Sequence, residues 1–324
     1  MIKYVIKRLL WMIPLILSVT VVIFTLMYFV PGDPARIVAG TDADEEDVEL
    51  IREKLGLDQP YIVRLKDYVE DVFFHFDFGT SITNGSSIQS SLMERFPRTL
   101  LLTVNSLVLT ILIGIPLGII AAVNPNTWKD RIAMFFSLVA VSIPPFWLAL
   151  MLVIVFALNL GWLPMMGIGS FKYYILPTIA NSVIGIAMQA RQTRSSMLES
   201  LNSDYIVTCR AKGLSRKGII FRHALPNASI PIITEMFFTL SGGIAGSLII
   251  ENVFSIPGIG VYLVNALNSR DYPVVQGTVI FIAIWVCLLN LITDLGYAFV
   301  DPRIRAGFTG SSKKRSRNKK EVAV

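Results

Sequence analysis

The sequence has 324 residues, of which 53% are hydrophobic and 16% charged, and its formal net charge is +6. A mean hydropathy of +0.61 is too high for an ordinary soluble domain and places the chain in a bilayer. The basic residues sit beside apolar runs, where membrane topology and lipid headgroups account for them, so the charge is not a signal for nucleic acid.

Met1 to Arg8 is short and basic, and Leu9 to Val30 follows without a charge. The apolar run is longer than that of a secretory signal and ends in Val30-Pro31-Gly32-Asp33-Pro34, so a retained first transmembrane helix is expected over residues 1–30. Residues 31–98 form a polar insert. Thr41 and Asp42 precede Asp44, Glu45, Glu46 and Asp47, which suits a helix N-terminus, and Val48, Ile51 and Leu55 then share one face up to Gly56. Tyr61, Leu65, Tyr68, Val72 and Phe76 repeat at helical spacing in a second amphipathic stretch. This insert is acid-rich, whereas the other hydrophilic segments are basic, which places the insert outside the cytoplasm and the basic segments, with both termini, inside.

Thr99 to Val123 is the expected second span, with Gly114-Ile-Pro116-Leu-Gly118 as a kink and close-packing point. The short link Asn124 to Arg131 carries Lys129 and Arg131 against Asp130 and lies inside. A third span follows from Ile132 to about Leu158, broken or bent by Pro144-Pro145, and then an outer turn from Gly161 to Gly167. Tyr173 to Ala190 is a fourth span of barely sufficient length. Residues 191–226 form the longest internal polar segment on the basic side. In it Ser, Asn and Asp at 200–204 mark a break between two short helices. The second of these is expected from about Tyr205 to Lys212, with Gly213 giving the C-terminal turn, and Leu214 to His223 is a further helical segment that ends where Pro226 starts a new element. The fifth span then runs to about Ile250, with Gly242, Gly243 and Gly246 open to close approach by another helix. An outer segment covers Glu251 to Tyr272, the sixth span Val274 to Val300, and residues 305–324 make a basic, disordered cytoplasmic tail. The expected fold class is therefore an all-α membrane protein of six transmembrane helices, with a core of residues 99–304 and a helical extracytoplasmic insert between helices 1 and 2.

No Gly-Lys dipeptide occurs, which excludes a Walker A phosphate loop from the chain. His75 and His223, the two histidines, fall on opposite sides of the expected membrane, and no Ser or Cys has a paired His at suitable depth, so neither a metal site nor an enzyme is read here. Two ionisable residues fall inside spans. Glu235, a turn or two into the fifth helix, reads either as a group in a water-filled translocation path or as a hydrogen-bonded residue near the interface; Asp294, near the inner end of the sixth, reads as structural.

The polar segment 191–226 carries a resemblance. Gly213, followed after nine residues by His223-Ala-Leu225-Pro226, resembles the Glu-Ala-Ala loop of permease subunits in ABC-type importers, although Val207-Thr208-Cys209 stands where Glu-Ala-Ala would be and His223 replaces an isoleucine. Those departures are similar to the peptide/nickel branch, whose usual pattern is matched by Asp204, Tyr205, Thr208, Arg210, Ala211, Lys212, Gly213 and Leu214. Phe29-Val-Pro31-Gly32-Asp33-Pro34, Asp77-Phe-Gly79-Thr-Ser81, Arg95-Phe-Pro97-Arg-Thr99, Phe254 to Gly260, Arg270-Asp-Tyr-Pro273 and Asp301-Pro-Arg-Ile304 extend the likeness to the B-type permease of dipeptide and oligopeptide importers.

The resemblance implies a type I importer permease fold in the prokaryotic cytoplasmic membrane and uptake of di- or oligopeptides by alternating access. Nickel chelates or another solute of the same branch are the alternative cargo. It also implies partners: a second homologous permease, two ABC ATPase subunits holding ATP and magnesium, and an extracytoplasmic substrate-binding protein. No cofactor is expected in this chain. The helix from about Asp204 to Lys212 would be the coupling helix seated on an ATPase subunit. Two readings of other classes stand beside this one, a stand-alone proton-coupled carrier using Glu235 and a membrane anchor or assembly factor that only recruits a partner.

Overall fold

In the computed structural model, which describes residues 2–40 and 42–300, the chain is all-helical apart from one isolated bridge between Thr80 and Ser87. The basic tail, the Asp301-Pro-Arg-Ile304 motif and Thr41 lie outside the described residues. Helix α1 runs Ile2–Phe29. Three short helices follow: α2 Pro34–Ala39, α3 Glu45–Lys54 and α4 Tyr61–Glu70, the last continuing as a π-helical turn over Asp71–His75. Both amphipathic stretches expected in residues 31–98 are thus helical. Helix α5 is a single helix over Ile88–Val123 with Pro97 inside it, so the second span expected from Thr99 begins within a longer helix.

Helix α6, Trp128–Ser142, and α7, Pro145–Leu152 with a π-helical extension to Asn159, meet at Pro144-Pro145. They bend by 99° there, as two consecutive prolines require, since each lacks the N–H that would continue the helix. The 15 residues of α6 reach only roughly 22 Å against about 30 Å of hydrocarbon, so neither half crosses a membrane by itself. Among the described residues three helices are long and apolar enough to cross alone, Val5–Phe29 within α1, α5 and Tyr272–Gly296 within α13, and the number rises to five if each of two bent pairs counts as one span. The other bent pair is Arg216–Ile244 with Ser247–Val253.

Helix α8 is the central element. It extends over Lys172–Leu201, well past the Ala190 expected to end it. Its buried positions include Ser182, Gln189, Thr193, Ser196 and Ser200. A helix this polar is held among helices because its neighbours cover it: α5 runs along it, and α6, α7 and α11, Leu225–Val253, pack beside it. Gln189 Nε2 donates to Ile232 O at 3.3 Å, and Asn181 Nδ2 donates to Ser106 Oγ at 3.1 Å. The contact with α5 is made by glycine. A Cβ on Gly114 would lie 2.9 Å from Gln189 Cβ, and one on Gly118 would lie 2.6 Å from Ala190 O. The close-packing role expected for Gly114 and Gly118 is therefore seen directly. Gly243 is similarly tight, 2.7 Å from Thr103 Cγ2, whereas Gly242 meets nothing within 4 Å.

Helix α12 is Ile259–Asn268 and α13 is Tyr272–Val300. The N-terminal half of α5 packs on α13 through Phe96, whose ring stacks on Trp285 at 4.3 Å. Asp271, just before α13, joins the insert to this core. Only 2% exposed, it accepts Ser81 Oγ at 2.5 Å and Thr83 Oγ1 at 2.8 Å, with the Ile82 and Val274 amides at 3.3 and 3.5 Å. Asp77-Phe-Gly79-Thr-Ser81 and Arg270-Asp-Tyr-Pro273 are therefore two halves of one clamp. Asp271→Ala leaves these donors without an acceptor, at a cost of about 3 kcal/mol. The expected result is a lower melting temperature and new proteolytic cleavage within residues 77–87; a cleavage pattern unchanged from wild type would show that the clamp does not hold the loop.

Candidate functional site

At one end of the bundle α8 stops at Asn202 and Ser203, and α9 forms over Asp204–Ala211, within a residue at each end of the helix expected from sequence. Asp204 lies in its first turn, where a carboxylate meets the positive end of the helix dipole. The C-terminal turn is built on Gly213, whose φ is +74°. Its N–H donates to Arg210 O at 2.9 Å and the Leu214 N–H to Cys209 O at 3.3 Å, the paired bonds of a Schellman motif. A Cβ on Gly213 would meet nothing within 4 Å, so backbone conformation alone, and not crowding, selects glycine there.

One side of α9 is anchored. Ile206 is fully buried among Ala122, Met197, Ile219, Ile220 and Ala224, which brings α5, α8 and the start of the next helix together beneath α9. The Tyr205 hydroxyl meets Ser200 Oγ, and Ser200 Oγ donates to Ala224 O at 2.9 Å. The other side is open. Asp204, Tyr205, Thr208, Arg210, Ala211, Lys212, Gly213 and Leu214 are all exposed, and Val207 with them at 62%. Beside α9 is a hollow of about 370 Å³ whose lining includes Val123, Arg210, Leu214 and Arg216. The surface thus combines apolar projections with cations on a helix that the core holds from behind, a composition that suits docking of a protein with acidic and apolar contacts.

The chain does not break at Pro226. A short helix α10, Arg216–Gly218, passes through a π-helical turn, Ile219–Ala224, into α11, so the expected new element is a continuation. Pro226 sits at the first positions after the π turn, where its missing N–H interrupts least. Arg216 Nη2 donates to Val123 O at 3.0 Å and covers the last carbonyls of α5.

Glu235 stands apart from this surface. It lies in α11 three residues beyond Ile232, half-buried, with no hydrogen bond or ion pair among the described residues. Asp294 is paired with Arg8 at 3.1 Å, which ties α13 to α1 and agrees with a structural role.

Two acids that the sequence does not reveal complete the arrangement. Asp130, which reads in sequence as a loop counter-charge, is 3% exposed and accepts both Arg194 Nε at 2.5 Å and Arg194 Nη2 at 2.7 Å. It also accepts the Asn126 amide at 3.0 Å, so one carboxylate fixes the α5–α6 link to α8 just above α9. Glu251, expected in an outer segment, instead belongs to α11 and is fully buried. Its carboxylate accepts Ser247 Oγ at 3.0 Å and the Gly260 amide at 2.8 Å. A Cβ on Gly258 or Gly260 would fall within 3 Å of that carboxylate, which explains the glycines of Pro257-Gly258-Ile-Gly260.

A family model described as binding-protein-dependent transport system inner membrane component matches residues 114–306, and the model for the N-terminal part of such components matches residues 1–103. The glutathione transport system permease protein GsiC of Salmonella choleraesuis is 41% identical over 305 residues, covering 94% of this chain and 99% of that protein. The GsiC of Escherichia coli is 40% identical with the same coverage. Among solved structures, the MetNI methionine ABC transporter in an inward-facing conformation aligns with a TM-score of 0.57 at 19% identity, over 66% of this chain and 97% of that one, and shows a shared fold.

Arg194→Gln leaves the Asp130 carboxylate buried with one backbone donor and is expected to destabilise the protein by about 3 kcal/mol. Asp130→Asn combined with Arg194→Gln should recover a large part of that loss. Losses of stability in the two single variants that add up to the loss in the double variant would show that the pair contributes no coupling.

Proposed function

The chain belongs to the family of binding-protein-dependent transport system inner membrane components, the permease subunits of ABC importers, and from that premise we propose that it forms half of the translocation path of an importer for di- or oligopeptides and takes up the motion of separate ATPase subunits through α9. The observation that carries this reading is the two-sided character of α9: Ile206 locked into the core, and Tyr205, Val207, Thr208, Arg210, Lys212 and Leu214 presented outward around a turn that requires Gly213. The relatives are named for transport of glutathione, a peptide-like solute, which favours peptide cargo over a nickel chelate.

On this reading six crossings are completed by counting each bent pair once and adding α8, whose polar positions face protein instead of lipid. Both termini and α9 then lie in the cytoplasm, and α2–α4 lie outside, where a substrate-binding protein docks. A second homologous permease covers the remaining core face. Two ATPase subunits supply ATP and magnesium, which fits a chain without a Walker A loop. Nucleotide-driven movement of the ATPases displaces α9, and the helices it rests on rock between inward-open and outward-open states.

Gly213→Pro tests the coupling step, because proline cannot adopt φ near +74°. With the ATPases, second permease and binding protein reconstituted in liposomes, wild type should show ATP-dependent uptake of a tripeptide, and the variant should lose at least about tenfold of it while remaining folded. Unchanged uptake in the variant would remove α9 from the coupling path. Uptake by this chain alone, without ATPases and abolished by Glu235→Gln, would instead establish a proton-coupled carrier.

A further inference from the structure

The end of the molecule that carries α2–α4 contains a cavity of about 360 Å³, between the end of α1, the 31–34 turn, α4 and the first turn of α13. Nothing in the transport cycle above uses it. Its charged lining consists of two arginines, Arg52 and Arg64, against one acid, Asp33, a balance of +1.

Asp33 is already committed. Its Oδ1 accepts the Ala35 amide at 3.0 Å, capping α2, and its Oδ2 accepts Arg52 Nη2 at 2.6 Å. Arg52 in turn donates from Nε to Glu49 at 3.0 Å. Arg64 has no such partner: among the described residues its guanidinium makes no hydrogen bond or ion pair, lies 5.8 Å from the centroid of the Tyr28 ring and feels the Asp58 carboxylate only at longer range. Burial lowers its pKa from the ordinary arginine value, so its charge is partly stripped of water with no acceptor supplied in return.

Tyr272 presents the second unmet donor. It is 8% exposed, it lines the same cavity, and its buried hydroxyl has no hydrogen-bond partner among the described residues. The backbone makes room for that hydroxyl. Gly32 has φ +141°, and a Cβ there would lie 2.8 Å from Tyr272 Oη. Pro31-Gly32-Asp33-Pro34, a motif without an assigned role, therefore builds one wall of the cavity, bringing the chain against Tyr272 and fixing Asp33 on Arg52. The rest of the lining includes Met27, Val30, Leu55 and Leu57, all apolar.

Two donors without acceptors, an excess of positive charge and an apolar lining select a ligand that is both anionic and apolar. We propose that this cavity binds one amphiphilic oxyanion, its phosphate or carboxylate oxygens accepting from the Arg64 guanidinium and Tyr272 Oη and its apolar part lying against Met27, Val30 and Leu57. The headgroup of an anionic phospholipid and a small free phosphate ester share this chemistry. The site does not depend on the orientation of the chain in the membrane or on α9.

The test is native mass spectrometry of the full chain purified in mild detergent, with three probes: phosphatidylglycerol, phosphatidylcholine with the same acyl chains, and glycerol 3-phosphate. Phosphatidylglycerol should bind as one saturable equivalent, about tenfold more weakly to Arg64→Gln and detectably more weakly to Tyr272→Phe, which keeps the ring and its packing. Arg36→Gln, an arginine of the same insert outside the cavity, should bind as wild type does. Glycerol 3-phosphate that competes and shows the same dependence on Arg64 identifies the free anion as sufficient; binding of phosphatidylglycerol alone identifies the lipid. Phosphatidylcholine bound as tightly as phosphatidylglycerol, affinity unchanged in Arg64→Gln, or no binding of either anionic probe would overturn the proposal.

Discussion

The whole bundle depends on two helix backbones approaching each other without side chains between them. Gly114 and Gly118 on α5 face Ile186, Gln189, Ala190 and Thr193 on α8, and Gly185 on α8 faces Thr110 on α5. In an apolar solvent, burial of apolar surface gives helices little reason to associate, so close van der Waals contact and interhelical hydrogen bonds must do it. That contact also makes α8 tolerable. Gln189, Thr193 and Ser196 would be costly facing lipid, but with α5 against one side and α11 against another Gln189 donates to Ile232 O and Thr193, and Ser196 accepts from Gln192.

Buried acids at the helix ends provide the second level of organisation. Asp130, Glu251 and Asp271 are each 3% exposed or less, and each accepts from groups of a second segment. A buried carboxylate survives only where donors replace the water it has lost, so each of these positions fixes its donors as much as the donors fix it. Asp130 holds the α5–α6 link on α8, Glu251 holds the 258–260 turn on α11, and Asp271 holds the insert on α13. Thr99 extends the Glu251 corner, accepting the Ile259 amide at 2.9 Å, while Arg98 Nη1 donates to Pro257 O at 3.1 Å. Arg95-Phe-Pro97-Arg-Thr99 and Phe254 to Gly260 thereby become contact partners across 160 residues of chain.

Local signals were readable in the sequence and long-range ones were not. The limits of α9, the left-handed Gly213, the bend at Pro144-Pro145 and both amphipathic helices of the insert all follow from residues within a few positions of the feature. The second span expected from Thr99 begins earlier, at Ile88, because α5 runs through Pro97 with Phe96 packed on Phe281 and Trp285. Pro226 was misleading for a related reason: the π turn before it shifts the hydrogen-bond register, so the chain passes into α11 without stopping. Asp130 and Arg194 are 64 residues apart, and nothing at either position announces the other. Charge next to an apolar run reads as topology in a sequence, and only the fold shows which of those charges are buried.

These buried pairs bear on how α9 would act under the proposed function. A docking helix transmits force only if it is stiffer against its own core than against its partner. Ile206 sits in an apolar pocket shared by three helices, Ser200 bonds across to Ala224 at the base of α11, and Arg216 holds the end of α5. Arg194 and Asp130 then lock α6 to α8 one layer above. Displacing α9 alone would require breaking an apolar contact and several buried polar ones, whereas displacing α9 together with the ends of α5, α6, α8 and α11 breaks none of them. The cheaper motion is the collective one, so a push on the exposed face of α9 is converted into a tilt of the helix ends it rests on.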